Sequence, residues 1–271
     1  VISTVQKLAL PAILAIIISA CSNDDGNSFA VAQLSVKVAA IDRDRILTAA
    51  DAFLRQDPIT VTDAYCQRSE GGVHDFYSEG DYWWPDTENP DGPYIRRDGM
   101  TNPDNFNDHR KAMRRMSIQV AALTAAFKVS ADEKYADHAI EHLKAWFVNE
   151  ETKMSPHMKY AQAIKGRVPG RGVGLLDGIH LVEPARAVSV LENEGRLSEK
   201  DAHKIKAWFK EFIAFMTEHE YGIDERERKN NHGTCWVMQL AEFSRLAGNE
   251  ELLDFCRDRY KSVLVPNQMS K

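Results

Sequence analysis

The stretch Lys229-Asn230-Asn231-His232-Gly233-Thr234-Cys235-Trp236 places two amides, an imidazole and an indole where a helix is expected to start. An imidazole can move a proton near neutral pH. Side-chain amides can hydrogen-bond a carboxylate without adding charge, and an indole can stack on a sugar ring. Asn231 and His232 are therefore candidate catalytic residues and Asn230 a candidate substrate contact. The same residues would also serve as a plain helix cap after a loop, so their meaning depends on what the rest of the chain sets beside them.

Two other polar segments carry chemistry. Met154 to Gly174 holds Tyr160, Gln162, Lys165, Arg167 and Arg171 among Gly166, Pro169, Gly170, Gly172 and Gly174. It lacks the Gly-Lys-Ser/Thr of a phosphate-binding loop. Glycines that let backbone approach a ligand, with guanidiniums beside them, suit an anionic substrate as well as they suit an Arg-rich surface loop. Tyr160, Gln162 and Arg171 are the candidate contacts there, and His180 follows on the next helix. Ile59 to Phe106 shows no apolar period and is punctuated by Gly71-Gly72, Asn89-Pro90, Asp91-Gly92-Pro93 and Asn102-Pro103. Its many aromatics are unlike a solvated linker, so a functional lid is expected. Trp83 and Trp84, before Pro85, would stack on sugars or plug the core. Arg96 and Arg97 would clamp a carboxylate or pair with Asp98 and Asp91.

The elements that must position these residues read as helices. Ser22 to about Ala40 looks like a tether. Helical periodicity begins near Ile41 and Pro58 closes it. Further helices are expected over Asp108–Val129, Asp132–Asn149, Gly178–Asn193, Ser198–Glu218, Asn231–Gly248 and Glu250–Val263, and no strand is expected. Leu143-Lys-Ala-Trp-Phe147 echoes Ile205-Lys-Ala-Trp-Phe209, as stacked helical hairpins would. The fold class is therefore all-α, and the pattern fits an α/α toroid whose inter-helix loops line a groove.

Composition narrows the partners. A net charge of −6 argues against a general nucleic-acid binder, and 44% hydrophobic residues are enough for a sizeable core. After Lys7, the apolar run Leu8–Ala20 is the length of a signal-peptide core and short for a bilayer span. Ile18-Ser19-Ala20-Cys21 resembles a lipobox, which makes Cys21 a lipid anchor, residues 1–21 a lipoprotein signal peptide and 41–271 the folded domain. With the acidic Asp24-Asp25 behind it, this implies the periplasm-facing envelope or outer membrane of a Gram-negative bacterium. Cys66, Cys235 and Cys256 have no metal spacing and read as buried free thiols; nothing requires a metal or cofactor.

Taken in order, Gly80-Asp-Tyr-Trp-Trp-Pro85, Tyr94-Ile-Arg-Arg-Asp-Gly99, Lys159-Tyr-Ala-Gln-Ala163, Gly170-Arg-Gly172 and Asn230-Asn-His-Gly233 resemble the motifs of the alginate lyase superfamily of α/α-toroid polysaccharide lyases. The resemblance runs from about Tyr77 to the C-terminus. It implies β-elimination on a uronic-acid polymer, with Asn231 on the substrate carboxylate and His232 as base or carboxylate neutraliser. It also implies a later Arg and Tyr, beyond a stretch like Pro266-Asn-Gln-Met269. Because the sequence stops at Lys271, an incomplete barrel and an impaired lyase are expected, with Tyr82, Tyr94 or Tyr160 as stand-in acid. An outer-membrane glycan-binding lipoprotein is the alternative. An α/α-barrel glycoside hydrolase is the third reading, with Asp75, Glu79, Asp81, Asp177 and Glu183 available as carboxylates.

Overall fold

The computed structural model describes residues 25–269; the apolar leader and Cys21 lie outside them. Helix α1 spans Asp25–Phe53, so helical structure starts well before Ile41 and takes in most of the segment expected as a tether. From Ser28 to Phe53 that stretch contains no glycine or proline to interrupt a helix. The next helices are α2 (Asp108–Ser130) and α3 (Glu133–Phe147), then α4 (Val182–Asn193) and α5 (Glu199–Glu218). After a short α6 (Glu220–Arg226) come α7 (Asn231–Ala247), α8 (Glu250–Arg259) and α9 (Val265–Gln268). The segment expected as one helix from Gly178 is a 3-10 helix, Gly172–Leu181, running into α4, and α8 passes through a π turn at Tyr260–Leu264 into α9.

Connection length explains the arrangement. Ala131, in the left-handed region at φ 58°, and Asp132, whose side chain caps α3, join α2 to α3. Gly248 and Asn249 do the same between α7 and α8, and α5 starts at the cap expected at Ser198, which accepts a hydrogen bond from Asp201 N. Such short links make antiparallel neighbours. Helices α2, α4 and α7 contact one another in an inner row, while α3 and α5 pack outside them with α8 against α7. This is the α/α-toroid arrangement.

The echoed motif has a structural counterpart in this outer row. Phe147 meets Trp208 and Phe209 at 4.8 and 5.3 Å between ring centroids. The indole N–H of Trp146 donates to Ile59 O, and that of Trp208 to Met154 O. Each tryptophan thus ties a long returning segment onto the helical layer.

The short turns lie at one end, so the long returns 54–107, 148–171 and 219–230 collect at the other. There they form strands, contrary to expectation: β1 (Tyr77–Glu79), β2 (Trp83–Trp84), β3 (Ile95–Arg96) and β4 (Tyr160–Ala163). β1 pairs parallel with β4, and β2 antiparallel with β3. At two to four residues each they are too short to show period-two alternation.

Candidate active site

The strand β4 is irregular. Between the pairs Tyr77–Tyr160 and Glu79–Ala163 the register shifts by a bulge, and Gln162 takes the left-handed conformation at φ 56°. That strain is held from below: Gln162 N donates to Ser78 Oγ at 3.0 Å and Ser78 Oγ donates to Asp177 at 3.0 Å. Arg110 pairs with the buried Asp177 at 3.0 Å and with Asp81 at 2.8 Å. The bulge makes Gln162 a two-point acceptor. Arg171 Nε donates to its carbonyl at 2.8 Å, and a terminal nitrogen donates to its Oε1 at 3.2 Å.

Both Arg171 acceptors are neutral, and among the described residues no carboxylate forms an ion pair with it. Burial and the neighbouring Arg96 push its pKa down, with Asp81 opposing. It is a fixed, half-buried guanidinium with little compensation, beside a second one. Gly80 makes room for it: a Cβ there would lie 2.8 Å from the Arg171 guanidinium and 2.7 Å from the Trp83 ring. Trp83 therefore belongs to the same group.

The second half of the site is the junction between α6 and α7. Asn230 caps α7, its side-chain oxygen accepting from His232 N at 3.1 Å, and its carbonyl accepts from Gln268 at 2.9 Å. Asn231 is exposed in the first turn. His232 Nδ1 lies 2.7 Å from Glu225 Oε1. Glu225 is 1% exposed, its other oxygen is buried without a partner among the described residues, and burial pushes its pKa up against the opposing pull of His232. The two halves meet on α6, because Gly172, next to Arg171, abuts Tyr221 and Asp224 of that helix.

Glu225 is the residue that sequence reasoning missed. It sits in the run Asp224-Glu225-Arg226-Glu227-Arg228, which reads as a solvated face. The available signal is its spacing of three from the buried Gly222, on one side of a helix.

The remaining candidates are less tightly gathered. Trp84 donates its indole N–H to Met100 O and carries Arg97 5.3 Å from its ring centre. Arg96, though close to Arg171 electrostatically, forms an exposed pair with Asp98. Tyr160 packs on Gly71 and lies 6.2 Å from the His157 ring. Tyr82 is exposed, and Tyr94 lies under Lys165. His180 sits at the opposite end of the 3-10 helix from Arg171. Burial and the charges of Arg114 and Arg110 on α2 lower its pKa to about 4, which keeps it neutral near pH 7.

The carboxylates available to a hydrolase are each engaged. Glu79 takes two bonds from Arg68 at 2.6 and 2.7 Å. Asp81 and Asp177 share Arg110, Asp75 faces His157 at 3.3 Å, and Glu183 pairs with Arg186 at 3.0 Å. Cys66 and Cys256 are buried free thiols, as expected, whereas Cys235 is free but only partly buried; burial pushes Cys256 up to about 12.

The family model for alginate lyase matches residues 60–271. The chain belongs to the alginate lyase family. The crystal structure of an alginate lyase from Bacteroides ovatus superposes on it with a TM-score of 0.80 at 33% identity, over 88% of this chain. The chain spans 66% of the length of that relative. A comparison with curated protein sequences gave no match. Within this alginate lyase family chain, the lid strands, the Arg171 grip and the Asn231-His232 helix start all fall inside the matched region.

Proposed function

We propose that the protein is a polysaccharide lyase that cleaves a uronic-acid polymer such as alginate by β-elimination. The observation that carries this reading is Arg171: a guanidinium fixed at two points on neutral acceptors, beside Arg96, is a ready partner for a substrate carboxylate. The C5 hydrogen of a uronate is barely acidic, and the adjacent carboxylate charge opposes the carbanion. Arg171 and the amide of Asn231 neutralise that charge and stabilise the enolate-like intermediate. Preorganised donors of this kind contribute about 3–4 kcal/mol each.

His232 takes the C5 proton through Nε2 or, for the opposite C5 configuration, helps to neutralise the carboxylate. A tyrosine, Tyr82, Tyr94 or Tyr160, protonates the leaving O4; Tyr160 stands two residues before Gln162 on the strand that grips Arg171. Trp83, beside Gly80 and Arg171, supplies a face for a neighbouring sugar. The leader with Ile18-Ser19-Ala20-Cys21 supports display at the outer membrane, which labelling of the expressed protein with a radioactive fatty acid would detect on Cys21.

The test is to incubate the protein with alginate and with glucuronan and follow the ultraviolet absorbance of the C4–C5 unsaturated product. The expected outcome is a rising absorbance that falls by about 10²–10³-fold in Asn231→Ala. New reducing ends without that absorbance would show hydrolysis instead. Retention of the polymer without any product would show a glycan-binding protein.

A further inference from the structure

Glu225 lies outside every motif that carries the family resemblance, yet it is the residue that His232 touches through Nδ1. A carboxylate this deeply buried, with one oxygen lacking a partner among the described residues, is costly to keep. Other contacts also hold the helix junction. The exposed Arg228–Asp224 pair at 2.7 Å ties the end of α6. Gly233 packs against the Arg228 carbonyl, which a Cβ would approach to 1.9 Å, and Gln268 holds Asn230 O and Thr234 Oγ1. Of these, the packing of Gly233 on Arg228 O already joins the end of α6 to α7, and the Glu225–His232 bond adds a directed contact to one ring nitrogen.

We propose that Glu225 is the positioning residue for His232, accepting its Nδ1–H so that Nε2 carries the lone pair and is presented to the cleft. This inference rests on the lyase reading of the site. The groups facing the pair are Asp224 on α6, Arg228 in the link that follows it, and Cys235 on α7. Asp224 and Arg228 neutralise each other, and the thiol is held protonated by burial. Glu225 is therefore the charge that acts on the ring.

In the elimination, Nε2 takes the C5 proton and the C–H electron pair moves into the carboxylate-conjugated enolate. That pair then forms the C4–C5 double bond as O4 departs with a proton from the acid. Throughout, the Nδ1 proton stays on the ring, and the Glu225 carboxylate stabilises the imidazolium.

The experiment has two arms on the whole chain. In the first, histidine-labelled protein is studied by 15N–1H NMR at a pH where the ring is neutral, with the His232 signals assigned by their loss in His232→Asn. Wild type is expected to show the Nδ1–H tautomer. A predominant Nε2–H tautomer in wild type would overturn the proposal, whether or not any variant folds. In the second arm, Glu225→Gln keeps the size but loses the charge. It is expected to show a mixed tautomer, a kcat lowered about 10–100-fold with KM changed little, and an acid limb of the kcat profile displaced to lower pH.

A merely structural glutamate would lower the unfolding midpoint and leave the tautomer and the pH profile in place, and that result would overturn the proposal. If wild type forms no unsaturated product from any polyuronate, the lyase reading fails. The tautomer arm still decides whether Glu225 sets the state of the ring.

Discussion

Arg171 shows how much a single side chain can depend on its acceptors. Its value as a carboxylate clamp comes from two bonds to one residue, the carbonyl and the amide oxygen of Gln162, and from the absence of a carboxylate partner among the described residues. A lysine cannot satisfy both acceptors while still offering a planar face to substrate. Arg171→Lys is therefore expected to lose nearly as much kcat/KM on polyuronate as Arg171→Ala, about 10²-fold or more, with unchanged thermal stability. Steady-state kinetics of the two variants side by side checks this, and full activity in Arg171→Lys would refute the two-point grip. Arg171 and Gln162 were legible in the sequence as polar residues among glycines. Their bond was not, because it depends on a strand bulge and a positive φ that no local pattern announces.

Among the elements, the α6–α7 junction governs the site. The cap at Asn230 and the stop at Gly248 were both readable, since side-chain capping and left-handed termination act locally. The close packing of Gly233 on Arg228 O was not. Gly233→Ala is expected to force the start of α7 away from α6, costing about 1–3 kcal/mol and separating His232 from Glu225, so that activity falls further than stability. Gly248→Ala serves as the control. Its φ of 70° makes alanine unfavourable there, but open space surrounds it, so it is expected to lose about 1 kcal/mol and keep its turnover. Urea titration and product formation on both variants separate the two cases. Helix α6 and the short strands escaped the sequence reading for a shared reason: each is shorter than the window in which a periodicity can be recognised.

At the scale of the whole molecule, burial of histidines in the helical layers couples stability to pH. His142 is fully buried, and burial together with His138 and Arg115 lowers its pKa to about 4. His180 is lowered to the same value. In the unfolded chain both titrate near about 6.5, so as pH falls from there the unfolded state takes up protons first. Their contribution is complete above that value and is lost progressively as pH drops toward 4. For His142 the loss is at most about 1.4 kcal/mol per pH unit across that window. The urea midpoint is expected to be flat from about pH 8 to about pH 7 and to decline steadily below that. An unchanged midpoint near pH 5 would show that these rings are solvated.

The sequence by itself determined that the chain is helical, where most helices begin and end, which segments break the pattern, and which motifs place it in the alginate lyase family. Those features follow from nearest-neighbour chemistry: apolar period, caps, glycines and short polar strings. Only the tertiary structure decided that three long returns share one end of the toroid, that Arg171 has no carboxylate partner among the described residues, and that Glu225 lies under His232. Such facts join residues on different elements, and they are set by how those elements pack rather than by any local preference.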